Sequence, residues 1–299
     1  MSQEGEDRAG TWVVGHDDSA PAQRALDWAL RHAAGRAERI EIVSAWHPPV
    51  YGPYPVDATV ALPYDDAAMA RAAVRRVHEV ASEAAGRAPV PVTGVAPESG
   101  AAEALLQASA GAGLLVVGSR GRGGFRRLLL GSTSSQCASH ARTPTVIVHG
   151  DQPLTETRRI VVGVDGSPNS LAAIEWAIRF AEPGTEILAG IGWDNSPLVF
   201  GADQFYFPDA QQLAEERIVE MVEAVVDRLA VDDVTVQHAF ALGRPRDLLA
   251  EWGRDADLVA VGARGHGAVG AAVLGSVTTW LIHHLDRPVA VIPHGDESD

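Results

Sequence analysis

Two glycine-rich stretches carry residue types and spacings that suit phosphate chemistry. Gly118–Ser132 reads GSRGRGGFRRLLLGS, and Gly262–Ser276 reads GARGHGAVGAAVLGS. Both fit one spacing: glycine, two residues, glycine, nine residues, then Gly-Ser. Each follows an apolar run that reads as a strand and leads into a helical pattern. Glycines let the backbone approach a ligand, and the unpaired N–H groups and dipole of a helix start favour an anion. The candidate contacts in the first copy are Gly118, Ser119, Arg120, Gly121, Arg122, Gly123, Gly124, Gly131, Ser132 and Thr133. In the second they are Gly262, Ala263, Arg264, Gly265, His266, Gly267, Gly275, Ser276 and Val277. A plain turn explains one such loop. It does not explain three glycines at the same spacing twice.

The copies differ in charge. The first carries Arg120, Arg122, Arg126 and Arg127, the second Arg264 and His266. Arginine holds phosphate through two parallel hydrogen bonds. Both sites are expected to bind, the first with more dependence on charge.

A second repeated pair lies upstream. Thr11–Ser19 reads TWVVGHDDS and Arg159–Ser167 reads RIVVGVDGS. Each ends an apolar strand in Gly15 and Asp17, or Gly163 and Asp165. Ser19 and Ser167 suffice to cap the next helix, which leaves each aspartate for a ligand.

Other chemistries are missing. The chain has no lysine, so a Walker-type phosphate lysine, a Schiff base and a lysine general base are excluded. The one cysteine, Cys137, permits no internal disulfide and reads as an inert core thiol in a reducing cytoplasm. His283 and His284 are adjacent, so they point to different faces of a helix. No third ligand is spaced near them, and no metal site is expected. Trp28 and Trp176 fall mid-helix on apolar faces and read as core.

The elements that must position these residues alternate strand and helix throughout. In the first half, strands are expected near Thr11–Gly15, Ile40–Trp46, Pro91–Ala96, Leu114–Val117 and Thr145–Val148. Helices are expected near Pro21–Ala34, Tyr64–Gly86, Ala101–Gly111 and Ser132–His140. The pattern restarts at Arg159, so the chain is a duplicated domain: residues 1–150 and residues 151–299. Such alternation implies an α/β architecture of two doubly wound domains, each a five-stranded parallel sheet with helices on both faces. Ligands bind such sheets beyond the carboxyl ends of the strands, where strand order reverses. Strands one and four of each half both end in Gly, Asp and Ser chemistry, so they are expected to flank that point. A hydrophobic content of 46% supplies a core for each domain. The loops His47–Pro63 and Trp193–Pro208 are rich in Pro and aromatic residues and read as covers or partner surfaces.

The formal charge is −15, which argues against nucleic acid or an anionic membrane as partner. The acidic excess belongs to the second half: residues 1–150 hold 14 Arg and 15 Asp/Glu, residues 151–299 hold 10 Arg and 24 Asp/Glu. The polar N-terminus MSQEGEDRAG lacks the basic and apolar parts of a signal peptide. No apolar run reaches membrane-spanning length. A soluble cytoplasmic protein is expected.

With these residues in view the chain resembles the universal stress protein family, in its tandem form and its ATP-binding branch. The G-x-x-G-x9-G-S spacing and the strand–Asp–small-cap start carry the resemblance over nearly the whole chain. It implies strand order 3-2-1-4-5 in each domain, with ATP, alone or with Mg2+, at the switch point. It implies pairing of domains through their fifth strands, within the chain or in a homodimer. Asp17 and Asp165 would meet the ribose or base side, backbone near Ala45 and Gly192 the adenine, and the glycine loops with Ser132 and Ser276 the phosphates.

No general base, nucleophile or metal cluster is spaced for rapid hydrolysis. The expectation is therefore a regulatory or stress-response ATP binder acting on a protein partner, not an enzyme, with slow hydrolysis left open. Two alternatives stand beside it: an adenylating-type enzyme on the same fold, which the lack of lysine disfavours, and an interaction scaffold that binds no nucleotide.

Overall fold

The computed structural model describes residues 8–48, 65–121, 130–150, 154–194, 208–231, 233–265 and 274–293. The first half runs β1 (Thr11–Gly15), α1 (Ala20–His32), β2 (Arg39–Val43), α2 (Asp66–Ala85), β3 (Val92–Val95), α3 (Ala101–Ala108), β4 (Leu114–Gly118), α4 (Ser132–His140) and β5 (Thr145–Val148). The second runs β6 (Arg159–Gly163), α5 (Pro168–Phe180), β7 (Glu186–Trp193), α6 (Pro208–Leu229), β8 (Thr235–Leu242), α7 (Pro245–Trp252), a 3-10 turn (Gly253–Asp255), β9 (Leu258–Gly262), α8 (Ser276–His284) and β10 (Val289–Ile292).

The strands form one sheet in the order β3-β2-β1-β4-β5-β10-β9-β6-β7-β8. Each half thus has the order 3-2-1-4-5. Pairs within a half are parallel, and the β5–β10 pair that joins the halves is antiparallel, with Ile147 opposite Val289 and Thr145 opposite Val291. Both fifth strands are buried along their full length. Left unpaired, they would be apolar edges open to aggregation. Their mutual pairing removes both edges at once.

Local sequence explains the helix starts. Ser19 Oγ accepts from Ala22 N at 3.2 Å and Ser167 Oγ from Ser170 N at 3.3 Å. Each capping serine is followed by a proline in the first turn, where its missing N–H costs nothing. Ser19 and Ser167 thus cap the two helices, as expected. The second strand is shorter than its apolar run suggests: β2 ends at Val43, and Trp46 makes only an isolated bridge to Glu98.

The expectation of one core per domain needs correction. Among the described residues two apolar clusters form, and each spans both halves; the sheet, not the domain boundary, separates them. On one face α1, α2, α5 and α6 pack together, on the other α3, α4, α7 and α8. The first cluster contains an aromatic stack that crosses the halves. Phe180 of α5 lies 5.8 Å from Trp28 at an interplanar angle of 4° and 6.4 Å from Trp12 at 20°. Arg36 Nε donates to Phe180 O at 2.7 Å, and Arg36 pairs with Glu182 at 3.0 Å. Trp28 is buried as expected, and Trp176 packs at the border of the same cluster.

Candidate nucleotide site

Parallel order 3-2-1-4-5 sets β1 beside β4 and β6 beside β9, so each half has a switch point between its first and fourth strands. A cavity opens at the carboxyl end of each. The first has a volume of about 440 Å³ and the second about 490 Å³, within the usual range for small-molecule sites.

Most candidate residues meet there. Gly15, Asp17, Ala45, Gly118, Arg120, Gly121, Gly131, Ser132 and Thr133 line the first cavity. Gly163, Asp165, Gly192, Gly262, Arg264, Gly265, Gly275, Ser276 and Val277 line the second. Ser119 and Ala263 lie beside the cavities and not in their linings. They tie the loop ends together: each carbonyl accepts from the glycine before the next helix, Gly131 N at 2.8 Å and Gly275 N at 2.9 Å. Arg122, Gly123, Gly124, His266 and Gly267 fall outside the described residues, as do Arg126, Arg127 and most of the two Pro-rich loops.

Each aspartate is held in one pose. Asp17 Oδ1 accepts from Ser19 N at 3.1 Å, and Asp165 Oδ1 from Ser167 N at 2.9 Å. The other oxygen, Oδ2, lies against the second motif glycine. A Cβ on Gly121 would stand 2.5 Å from Asp17 Oδ2, and one on Gly265 would collide with Asp165 Oδ2.

The three motif glycines therefore have three different reasons. Gly118 and Gly262 make room for the helix after the first strand: a Cβ would stand 2.5 Å from the carbonyl of Pro21 in one half and 2.7 Å from Asn169 Cβ in the other. Gly121 and Gly265 make room for the aspartate. Gly131 and Gly275 are different, since a Cβ on either meets nothing nearer than 3.4 Å. Each is the N-cap of its helix and has no side chain to satisfy the N–H groups of the first turn. The residues of that first turn line the cavity, and a helix start facing open space is the arrangement an anion needs.

Several lining residues carry no signal that sequence reasoning picked up. Ala101 and Leu105 of α3, and Pro245 and Leu249 of α7, form the apolar wall. In sequence they look like ordinary helix residues. Ser134 and Thr278 had a signal that was there to find: each is a hydroxyl two residues after the Gly-Ser pair. Ser134 Oγ donates to Gly118 O at 2.6 Å and Thr278 Oγ1 to Gly262 O at 2.7 Å. They pin the fourth strand's last carbonyl to the start of the helix that follows the glycine loop.

The residues around the cavities are not equivalent. In the first half His16 is buried with its Nε2 unpartnered, and Asp18 sits at φ 60° and pairs with Arg76 of α2 at 3.1 Å. The second half has Val164 in place of the histidine and Gly166, at φ 80°, in place of the aspartate. Asp tolerates the left-handed region and Gly favours it, so the same turn forms with and without a charge. Cys137 in α4 is fully buried, and burial pushes its thiol up to about 12, as befits a packing residue. Among the described residues no group of three or more His, Cys, Asp or Glu side chains gathers to hold a metal, and no helix is long and apolar enough to cross a membrane.

Comparison with known proteins agrees with this plan. The model of the universal stress protein family matches residues 11–149 and again residues 156–293. A universal stress protein of Mycolicibacterium smegmatis (strain ATCC 700084 / mc(2)155) is 31% identical over 294 residues, covering 94% of this chain and 96% of that protein. One from Mycobacterium tuberculosis (strain ATCC 25618 / H37Rv) is 31% identical over 300 residues, covering 93% of this chain and 95% of its own length. The crystal structure of a universal stress protein from Archaeoglobus fulgidus DSM 4304 has the same fold, with a TM-score of 0.70 at 22% identity, covering 96% of this chain and 99% of that one.

Proposed function

This chain belongs to the universal stress protein family as a tandem two-domain member, and from that premise we propose that it binds ATP in each domain as a regulatory ligand in a stress response. The observation that carries the proposal is the repeated pairing of an uncapped helix N-terminus with a fixed aspartate across a cavity of about 440 or 490 Å³. The helix start and the glycine loop supply backbone donors for phosphates. Asp17 and Asp165 are the carboxylates that would meet ribose hydroxyls or a base edge. The apolar wall of Leu105 or Leu249 suits the face of an adenine. A magnesium ion arriving with the nucleotide would find Asp17 or Asp165 as the carboxylate among the described residues of each lining.

The regulatory reading is favoured over turnover by what surrounds the phosphate end. Among the described lining residues of either cavity there is no lysine, no cysteine and no carboxylate besides the two aspartates. Each aspartate already holds a backbone N–H through one oxygen and abuts a glycine with the other. That pose suits recognition better than proton transfer. Bound nucleotide then biases contacts of the domain with a protein partner. The test is calorimetry with ATP on the full chain and on the Asp17→Ala, Asp165→Ala double variant. The variant is expected to lose at least about tenfold in affinity, roughly 1.4 kcal/mol. Unchanged affinity would remove the aspartates from the site.

A further inference from the structure

The two cavities share a plan but differ at their phosphate ends. Aligning Gly131 with Gly275 sets Thr133 against Val277. The helix at the first site opens Ser132-Thr133-Ser134, and the helix at the second opens Ser276-Val277-Thr278. The hydroxyl at the third position of each, Ser134 or Thr278, is already committed to the fourth strand's carbonyl. At the helix start the first site therefore retains two hydroxyls and the second one; Ser170, also in the second lining, donates its hydroxyl to Ser167 O at 2.9 Å. Thr and Val have nearly the same shape, so the difference is one hydrogen-bonding group at one place.

A second difference comes from the junction of the halves. His149 directly follows β5, and Ser119 N donates to Val148 O at 3.1 Å, so the loop bearing Arg120 starts beside it. The antiparallel β5–β10 register sets Val289 opposite Ile147. The end of α8, with His283, therefore lies at the same end of the sheet as the first site. The corresponding positions around the second site are Pro293 and Ser139. His149 is buried and its Nε2 has no partner. Burial, then the charges of Arg120 and His283, hold its pKa at about 4. No carboxylate contributes to that shift. Both histidine rings lie outside the lining of the first cavity and are neutral near pH 7; a polyphosphate held by Arg120 would lower the cost of protonating them. Proline and serine have no comparable response.

We infer that the two sites divide adenine nucleotides by phosphate content: the first prefers the triphosphate, and the second accepts an adenine nucleotide with little regard to the number of its phosphates. This rests on the nucleotide reading above and names the ligand of each site. The uneven charge of the halves agrees with it, since the second site lies in the half with 24 Asp/Glu to 10 Arg.

The test is calorimetry of the full chain with ATP and separately with AMP. Two classes of site are expected, one binding ATP about tenfold more tightly than AMP and one with a ratio near unity. Thr133→Val and His283→Gln, made singly, should each shrink the first ratio, and Val277→Thr should raise the second. Thr133→Val is close to isosteric and His283 is partly exposed, so both variants should fold. Equal ratios at the two sites, or a preference that survives both substitutions, would overturn the division while leaving nucleotide binding intact. Binding of neither nucleotide would overturn both readings together.

Discussion

Asp17 Oδ2 occupies the space beside Gly121 that any larger residue would need, and a Cβ there would stand 2.5 Å away. Its other oxygen holds Ser19 N at 3.1 Å. The first strand's aspartate and the fourth strand's loop are thus interlocked across the switch point. Asp165 and Gly265 repeat the contact in the second half. Neither residue is intelligible alone: the glycine is small for the aspartate, and the aspartate is fixed because the glycine leaves it a slot.

Substitution of the motif glycines should separate packing from binding. Gly118→Ala places a Cβ on the carbonyl of Pro21 and should destabilise the fold by about 1–3 kcal/mol. Gly121→Ala displaces the Asp17 carboxylate, and ATP affinity at the first site should fall about tenfold. Gly131→Ala meets ordinary contact distances, so the chain should fold and lose affinity through crowding in front of the helix start. Urea unfolding and calorimetry on the three variants read the two effects independently.

How much of this was legible before the structure differs from residue to residue. The repeat, the neighbouring first and fourth strands and about half of the cavity lining follow from local patterns: apolar runs, a capping serine and glycine spacing; Ala45 and Gly192 came only from the family resemblance. The packing reason for Gly118 does not follow from such patterns. In sequence Gly118 reads as a residue of phosphate approach; that a Cβ there would also meet Pro21, 97 positions upstream, is a contact that exists only once α1 is laid across β4. The wall residues Leu105 and Leu249 were hidden for a similar reason, because an apolar helix position reads the same facing a core or a cavity. The shared cores were hidden too: Phe180 carries no mark in the sequence that it will stack on Trp12 and Trp28 in the other half.

That stack joins the two halves, and they are expected to unfold as one cooperative unit. Phe180→Ala removes a ring packed on Trp12, Trp28 and Trp176 and should cost about 3–5 kcal/mol. Scanning calorimetry should show a single transition for the parent chain, and a lowered and broadened or split one for the variant. A variant with an unchanged midpoint would mean the β5–β10 pair alone couples the halves.

Acid should weaken the fold through two buried histidines. His32 Nδ1–H donates to Trp28 O at 2.8 Å, and in the neutral ring Nε2 accepts from the Thr157 hydroxyl at 3.0 Å. Burial lowers its pKa below 6.5, and burial first also takes His149 to about 4. Between 6.5 and the folded value the unfolded chain binds more protons, so stability is full above pH 6.5 and lost as pH falls. For His149 the loss by pH 4 is on the order of 2–3 kcal/mol. Urea midpoints measured from pH 7 to pH 4 should fall, and His149→Gln should flatten that fall.

The most direct measurement is the content of the protein as it comes from cells. Purified full-length chain is denatured and the released small molecules are separated by chromatography and identified by mass. Two backbone-built sites facing an aspartate predict an adenine nucleotide among them, and a raised Tm when ATP is added to protein stripped of it. Protein that carries no nucleotide and shows no thermal shift with ATP would contradict the assignment of these cavities.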